Sequence, residues 1–239
     1  MDKILKLREI IDKSQNIVIF TGAGISCPSG IPDFRSANGL YNEKTKGNYT
    51  PEQIISHTFF TRYPEEFYSF YRDKMIYENA KPNKAHIYFA ELEKKGKNVT
   101  IVTQNIDGLH QKGGSTKVIE LHGSIHRNYC MKCGKFYDVT AVTGCTGVPC
   151  CECGGMIKPD VVLYEEQLDN TAVENAITAI ANADTMIIVG TSLVVYPAAS
   201  YIHYFNGDNL VVLNKSETSC DKTAQLAIYD DIVNIVDQL

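Results

Sequence analysis

Apolar positions along the chain follow two spacings. In residues 2–13, Ile4, Leu7, Ile10 and Ile11 stand three and four apart, which predicts an amphipathic helix. Ile17-Val18-Ile19-Phe20 is instead a continuous apolar run, as expected of a short strand buried on both faces. Apolar-rich strand segments recur at residues 99–103, 118–121, 186–189 and 210–213, and a shorter apolar run at Val161-Val162-Leu163. Helical spacing returns at 82–95 and at 171–183, the latter turning Val173, Ala176, Ile177 and Ile180 inward. Residues 231–236 fit a last strand or a helix equally. Strands alternating with helices predict an α/β fold, a parallel sheet covered on both faces.

Between Pro32 and Tyr77 the pattern changes to dense aromatics: Phe59, Phe60, Tyr63, Phe67, Tyr68, Phe70 and Tyr71. Short helices are expected there, entered at Thr50-Pro51-Glu52 and Pro64-Glu65-Glu66, with proline in the first turn. The aromatics read as the core of a small helical layer.

The 239 residues suit one large domain with a smaller module inserted. Apolar residues make up 44% and charged residues 21%, which places the chain among globular proteins. A net charge of −5 argues against a nonspecific grip on nucleic acid or on anionic membrane, because both need a basic surface. No stretch of about 18 apolar residues is present, so no membrane span is expected. The first ten residues are amphipathic and lack an apolar signal core, which makes a cytoplasmic location the expectation.

Six of the eight cysteines crowd into residues 130–153, which suggests metal before disulfides. Cys130-Met131-Lys132-Cys133 and Cys150-Cys151-Glu152-Cys153 form two CxxC pairs. Each can fold as a tight knuckle, and four thiolates close a tetrahedral zinc site with no open position, hence structural. Cys151 offers a competing CxC with Cys153. The symmetrical knuckle favours Cys150, so the expected ligands are Cys130, Cys133, Cys150 and Cys153, with Cys145 in the spacer. A redox CxxC is the alternative.

Polar or glycine residues close four of the strands, the edge where open α/β sheets bind ligands. After Phe20 comes Thr21-Gly22-Ala23-Gly24-Ile25-Ser26. Glycines there let backbone approach a phosphate, and a following helix start would offer free N–H groups. The dinucleotide fingerprint wants a third glycine where Cys27 stands, so a tight turn without ligand is an equal reading. Just downstream, Asp33, Phe34 and Arg35 add an acid, an aromatic ring and a cation. A nucleotide would need that mixture; a local ion pair capping the loop is the plainer account.

With Gly22-Ala23-Gly24-Ile25-Ser26, Gly30-Ile31-Pro32-Asp33-Phe34-Arg35, Gln104-Asn105-Ile106-Asp107 and Leu121-His122-Gly123 in hand, the chain resembles a sirtuin. Pro82-Asn83-Lys84-Ala85-His86, Gly190-Thr191-Ser192-Leu193 and Val195-Tyr196-Pro197-Ala198-Ala199 extend the likeness over nearly the whole chain. The resemblance implies a Rossmann-like large domain (about 1–33, 80–125 and 160–239). It also implies a smaller domain of helices (34–79) and a zinc ribbon (126–159). It further implies an NAD-dependent protein lysine deacylase, with NAD as cosubstrate, one structural zinc ion and acetyl-lysine proteins as partners. No direct nucleic-acid or membrane partner is expected, and the chain is expected to be a monomer.

The resemblance also implies roles. The substrate's acyl oxygen displaces nicotinamide from the ribose, and His122 then helps deprotonate a ribose hydroxyl that attacks the resulting alkylimidate. Free lysine and O-acyl-ADP-ribose follow. Asn105 orients a ribose hydroxyl or a water, Ile106 and Asp107 hold the carboxamide, and Gln104 lies beside the ribose. Phe34 covers the site once nicotinamide has left, and Arg35 contacts phosphate or orders the loop. Gly22, Ala23, Gly24, Ser26, Asp33, Gly190, Thr191 and Ser192 belong to the cofactor site. Asn214 binds the adenosine ribose, with Lys215 and Ser216 near it. Asp231, beside Asp230, closes over adenine; a helix cap is the equal alternative.

Val161, Val162, Leu163 and Tyr164 match the segment that pairs with a substrate peptide as an added strand. Glu165 stands where the family pattern has glycine, adding a charge that would disfavour acidic sequences near the target lysine. Residues 42–49 lack the Tyr and Arg pair that family members selecting acidic acyl groups carry, so acetyl or another neutral acyl chain is expected. A protein ADP-ribosyltransferase and a catalytically idle NAD-binding module remain as competing readings.

Overall fold

The structure, a computed structural model, describes residues 2–36, 39–42 and 49–239. Nine α-helices are formed among them: α1 (Lys3–Lys13), α2 (Pro51–Ile54), α3 (His57–Arg62), α4 (Pro64–Lys74), α5 (Lys84–Lys94), α6 (Leu109–Lys112), α7 (Thr140–Thr143), α8 (Asn170–Ala181) and α9 (Ile232–Val236). The strands are β1 (Asn16–Thr21), β2 (Asn98–Thr103), β3 (Val118–Glu120), β4 (Gly123–Cys130), β5 (Phe136–Tyr137), β6 (Ile157–Val161), β7 (Thr185–Val189), β8 (Asn209–Asn214) and β9 (Leu226–Tyr229). No helix among the described residues is long and apolar enough to cross a membrane.

Six strands form one sheet in the order β3-β2-β1-β7-β8-β9, every pair parallel. This is the doubly wound order, with its reversal between β1 and β7. The alternation of side chains along each strand divides the core in two. Ile17, Ile19, Val99, Ile101, Ile187, Val189, Val211 and Leu213 face α1, α5 and α9 through Leu7, Ile10, Phe89, Leu92 and Ile235. Val18, Phe20, Val102, Met186, Ile188 and Val212 face α8 and the 3-10 turn Ala198–Tyr204 through Ala176, Ile180 and Tyr201. Val173 and Ile177 pack part-buried on that face.

A second, antiparallel sheet has the order β5-β4-β6. The aromatic run forms the layer beneath it. Phe59, Phe60, Phe67, Tyr68 and Tyr71 are buried with Ile125, Val161 and Leu163, and the Tyr68 hydroxyl donates to the Ile157 carbonyl. Pro51 and Pro64 open α2 and α4 at the first turn, as their φ allows. Tyr63 departs from the expectation and stands 40% exposed.

Three further points correct the sequence reading, and a fourth decides what it left open. The glycine loop runs directly into two short 3-10 turns, Ala23–Ile25 and Cys27–Ser29, where an α-helix start was expected. Residues 123–130 form the longest strand among the described residues, where sequence offered only a strand end and a cysteine stretch. Leu226–Tyr229 adds a sixth strand at the sheet edge, too short to show a period. Residues 232–236 are helical, capped by Asp231, because Ile232, Ile235 and Val236 reach the core together only at helical spacing.

Candidate active site and metal centre

Reversal of the strand order brings the ends of β1 and β7 together. Gly24 and Gly190 meet there backbone to backbone. Gly190 has φ +60, and a Cβ on it would lie 2.4 Å from the Ile25 nitrogen. The Gly24 and Gly22 N–H groups donate to Gly190 and Val189 carbonyls at 2.8 and 3.1 Å. These glycines therefore serve a close approach within the sheet edge.

Around that junction β1, β2 and their following loops assemble a polar network. Asn105 Nδ2 donates to Ser26 Oγ at 3.2 Å, and Ser26 Oγ donates to Asp107 Oδ2 at 2.7 Å. Asp107 also accepts the Leu109 N–H at 2.9 Å. Burial pushes its carboxyl above the ordinary value, and these two donors offset part of that rise. Gln104 Nε2 reaches Thr191 Oγ1 at 3.2 Å, tying β2 to the loop after β7. Ile106 is half-buried, its carbonyl accepting the Ile125 N–H.

His122 ends the link between β3 and β4. Its Nδ1 lies 2.9 Å from the Gln104 carbonyl, which can only accept, so Nδ1 carries the proton. Burial holds the imidazole below the ordinary histidine value, although the Gln104 hydrogen bond raises it somewhat. The neutral ring thus keeps its lone pair on Nε2. The His122 carbonyl accepts the Val162 N–H at 3.0 Å, which joins this histidine to the expected peptide segment.

Residues further out are gathered less tightly. Asp33 Oδ1 accepts the N–H groups of Arg35 and Ser36 at 3.1 and 2.8 Å, so it caps its own loop through backbone donors. The Arg35 guanidinium lies 5.1 Å from the Tyr41 ring centre, and Phe34 tilts against the same ring at 5.3 Å. Asn214 Nδ2 donates to the Thr191 and Ser216 carbonyls at 3.3 and 2.9 Å. Lys215 pairs with Asp231 at 2.8 Å, and Asp231 also caps α9 through the Val233 N–H. Asp231 is accordingly a helix cap in an ion pair. Ser192 is exposed and Ala23 half-buried at the rim.

Val161 pairs with Gly123 at the end of β6, while Val162, Leu163 and Tyr164 leave the strand. The Tyr164 N–H donates to Ile55, its carbonyl accepts from His57, and its hydroxyl lies 2.7 Å from that of Tyr41. Glu165 takes φ +75, the conformation glycine favours, and its carboxylate accepts the Thr58 N–H at 2.8 Å. Glu166 binds Lys158, His57 and the Leu163 N–H at 3.0, 2.9 and 2.9 Å. The acyl-selecting stretch falls mostly on residues 43–48, outside the described residues.

The cysteines correct the expected ligand set. Sulfurs of Cys130, Cys133, Cys151 and Cys153 lie within 4.8 Å of one another, and Cys150 is not among them. Cys150 bridges Met156 in an extended pair, and its sulfur turns to the Val148 carbonyl at 3.5 Å. Neighbours on extended backbone point to opposite sides, so Cys151 faces the cluster when Cys150 faces away. The Cys130–Cys153 and Cys133–Cys151 sulfur pairs are 3.5 and 3.6 Å apart. Four thiolates at zinc bonding distance form a tetrahedron with edges of about 3.8 Å, so this donor set fits one zinc ion. The clue in the sequence was Gly154-Gly155, a tight turn that folds the CxC limb back.

The model of the Sir2 family matches residues 22–197. An NAD-dependent protein deacetylase of Clostridium perfringens is 61% identical over 98% of this chain and 97% of its own length. One from Clostridium acetobutylicum is 55% identical over 99% and 98%. A solved Sir2 with a deacetylated p53 peptide and 3'-O-acetyl-ADP-ribose superposes with a TM-score of 0.91 at 39% identity, covering 99% of this chain and 97% of that one. A Sir2 with p53 peptide and NAD+ gives 0.87 at 40%, with the same coverage. The family model covers most of the chain and these relatives and structures cover nearly all of it, so the chain belongs to the Sir2 family.

Proposed function

We propose that this protein is an NAD-dependent protein lysine deacetylase that moves the acetyl group from lysine to ADP-ribose. The observation that carries the reading is His122. Its Nδ1 proton is held by Gln104 on the nucleotide side, and its carbonyl is held by Val162 on the peptide side. One residue thus joins the two edges a deacetylase must bring together. The relatives are named for that activity, and solved family members hold NAD+, acetylated peptide or acetyl-ADP-ribose.

NAD, when bound at the switch point, supplies the electrophilic ribose carbon and the acceptor hydroxyl. His122 Nε2 takes the proton from that hydroxyl, because the neutral tautomer leaves it a free lone pair. Asn105 and Asp107, held to each other through Ser26, orient ribose and carboxamide. Ala23, Thr191 and Ser192 offer donors for phosphate, Gly22 and Gly24 give the close backbone approach, and Phe34 and Arg35 close the loop side. Asn214, Lys215 and Ser216 lie toward the adenosine ribose. The Lys215 pair with Asp231 marks the outer limit of that pocket. Residues 161–164 receive the peptide, and the preferred acyl group is acetyl or another neutral chain. Cys130, Cys133, Cys151 and Cys153 hold a structural zinc ion. The large domain comprises the parallel sheet with its helices; the small domain comprises α2–α4 and the zinc ribbon.

Mass spectrometry after incubation with NAD and acetyl-lysine peptide tests the reading, with His122→Ala and a succinyl-lysine peptide alongside. Free lysine and O-acetyl-ADP-ribose are expected, absent with His122→Ala and weaker with the succinyl peptide. Turnover should fall in acid only below the ordinary histidine range, since burial lowers His122. ADP-ribose attached to protein, without deacetylation, would overturn the proposal.

A further inference from the structure

Two buried histidines lie behind the site with one ring nitrogen each unmatched among the described residues: His86 Nε2 and His110 Nδ1. Their residues are 0% and 1% exposed, and their ring centres are 4.8 Å apart. A buried polar atom without a partner calls for a reason.

The surrounding bonds assign the protons. His86 Nδ1 accepts the Asn83 N–H at 3.3 Å, so the neutral ring carries its proton on Nε2. Thr21 Oγ1 donates to Thr103 Oγ1 at 2.8 Å, so His110 Nε2, 3.1 Å away, must donate to Thr21. That leaves His110 Nδ1 as an acceptor. The two unmatched atoms are therefore complementary, one donor and one acceptor. Burial holds both rings neutral, His86 near a pKa of about 4.

Hydrogen bonds on the outer side of each ring lead from this histidine pair to the site. Thr103 Oγ1 accepts the backbone N–H of Asn105 at 3.0 Å. At the other end Asn83 Nδ2 donates to the Ile25 carbonyl and to Ser29 Oγ at 2.8 and 3.0 Å, within the glycine loop. We propose that His86 and His110 are positioning residues: two hydrogen-bonded segments, Asn83–His86 and His110–Thr21–Thr103, coupled where the two rings pack 4.8 Å apart with a complementary donor and acceptor, set Asn105 and the glycine loop in register with each other. This rests on the deacetylase reading, in which Asn105 touches the ribose.

Kinetics of deacetylation by the full chain test it with His110→Phe, Thr21→Val, their double variant and His110→Gln, each checked for folding by circular dichroism. Thr21→Val keeps the branched shape and exchanges the hydroxyl for a methyl. Loss of the link should lower kcat about tenfold in each single variant and leave peptide KM within about twofold. The double variant should be no worse than the poorer single one, because both cut the same hydrogen-bonded segment. His110→Gln, which restores a donor toward Thr21, should recover most of kcat. Folded single variants with unchanged kcat would overturn the inference. So would losses that multiply in the double variant, or a glutamine variant as poor as phenylalanine. An inactive parent enzyme would instead overturn the deacetylase reading itself.

Discussion

Cys150 and Cys151 are adjacent and chemically identical, yet only Cys151 reaches the sulfur cluster. The choice is made by an extended bridge between Cys150 and Met156, which sends alternate side chains to opposite sides. Replacing Cys151 by serine should reduce bound zinc from about one ion per chain to near zero and unfold the ribbon, since metal binding carries much of its folding energy. Cys150→Ser should keep the zinc. Metal analysis of both purified variants, with thermal denaturation, checks this; equal zinc loss would return Cys150 to the ligand set. Glu165 is a second residue of this kind. Its carboxylate is turned onto the start of α3, so its left-handed backbone is offset by a hydrogen bond that glycine could not make.

The coupling of β4 to β6 does at the element scale what His122 does at the residue scale. Gly123 pairs with Val161 directly after His122, at φ +74, and a Cβ there would sit 1.9 Å from the Asp160 carbonyl oxygen. Gly123→Ala must therefore push the strands apart and strain the backbone. A loss of about 3 kcal/mol is expected, together with a displaced His122. Chemical denaturation measures the first and deacetylation of the folded fraction the second. A variant of parental stability would show that this junction yields more easily than its geometry implies. The aromatic layer of α3 and α4 backs the same junction: Phe60, Phe67 and Tyr71 share a cluster with Ile125 of β4 and Val161 of β6.

For the molecule as a whole, the buried histidines make stability depend on pH. His86 has a folded value near 4 against about 6.5 when unfolded. Below 6.5 the unfolded chain binds a proton that the folded chain refuses, so stability rises with pH between about 4 and 6.5 and is fully present above that window. His86 alone should contribute about 3 kcal/mol across it. Melting temperatures at pH 5 and 7.5 should differ, and the difference should shrink in His86→Gln. An unchanged difference would mean that other groups carry the effect.

Local sequence was enough for much of the fold. Apolar-rich segments marked β1, β2, β7 and β8, because strands buried on both faces have no polar side to show. Helical spacing marked α1, α5 and α8, and the ordered motifs at 22–26, 104–107 and 121–123 pointed to the family. These features are set by short-range chemistry: period, proline, and polar residues at strand ends. Tertiary structure decided what depends on partners distant in the chain. It chose helix over strand for 232–236 by burial, and Cys151 over Cys150 by hairpin geometry. It made Asp231 a cap paired with Lys215. It also gave His122 its tautomer and packed His86, bonded to Asn83, against His110, bonded to Thr21. A side chain's direction, proton and neighbours follow from contacts that no stretch of sequence contains alone.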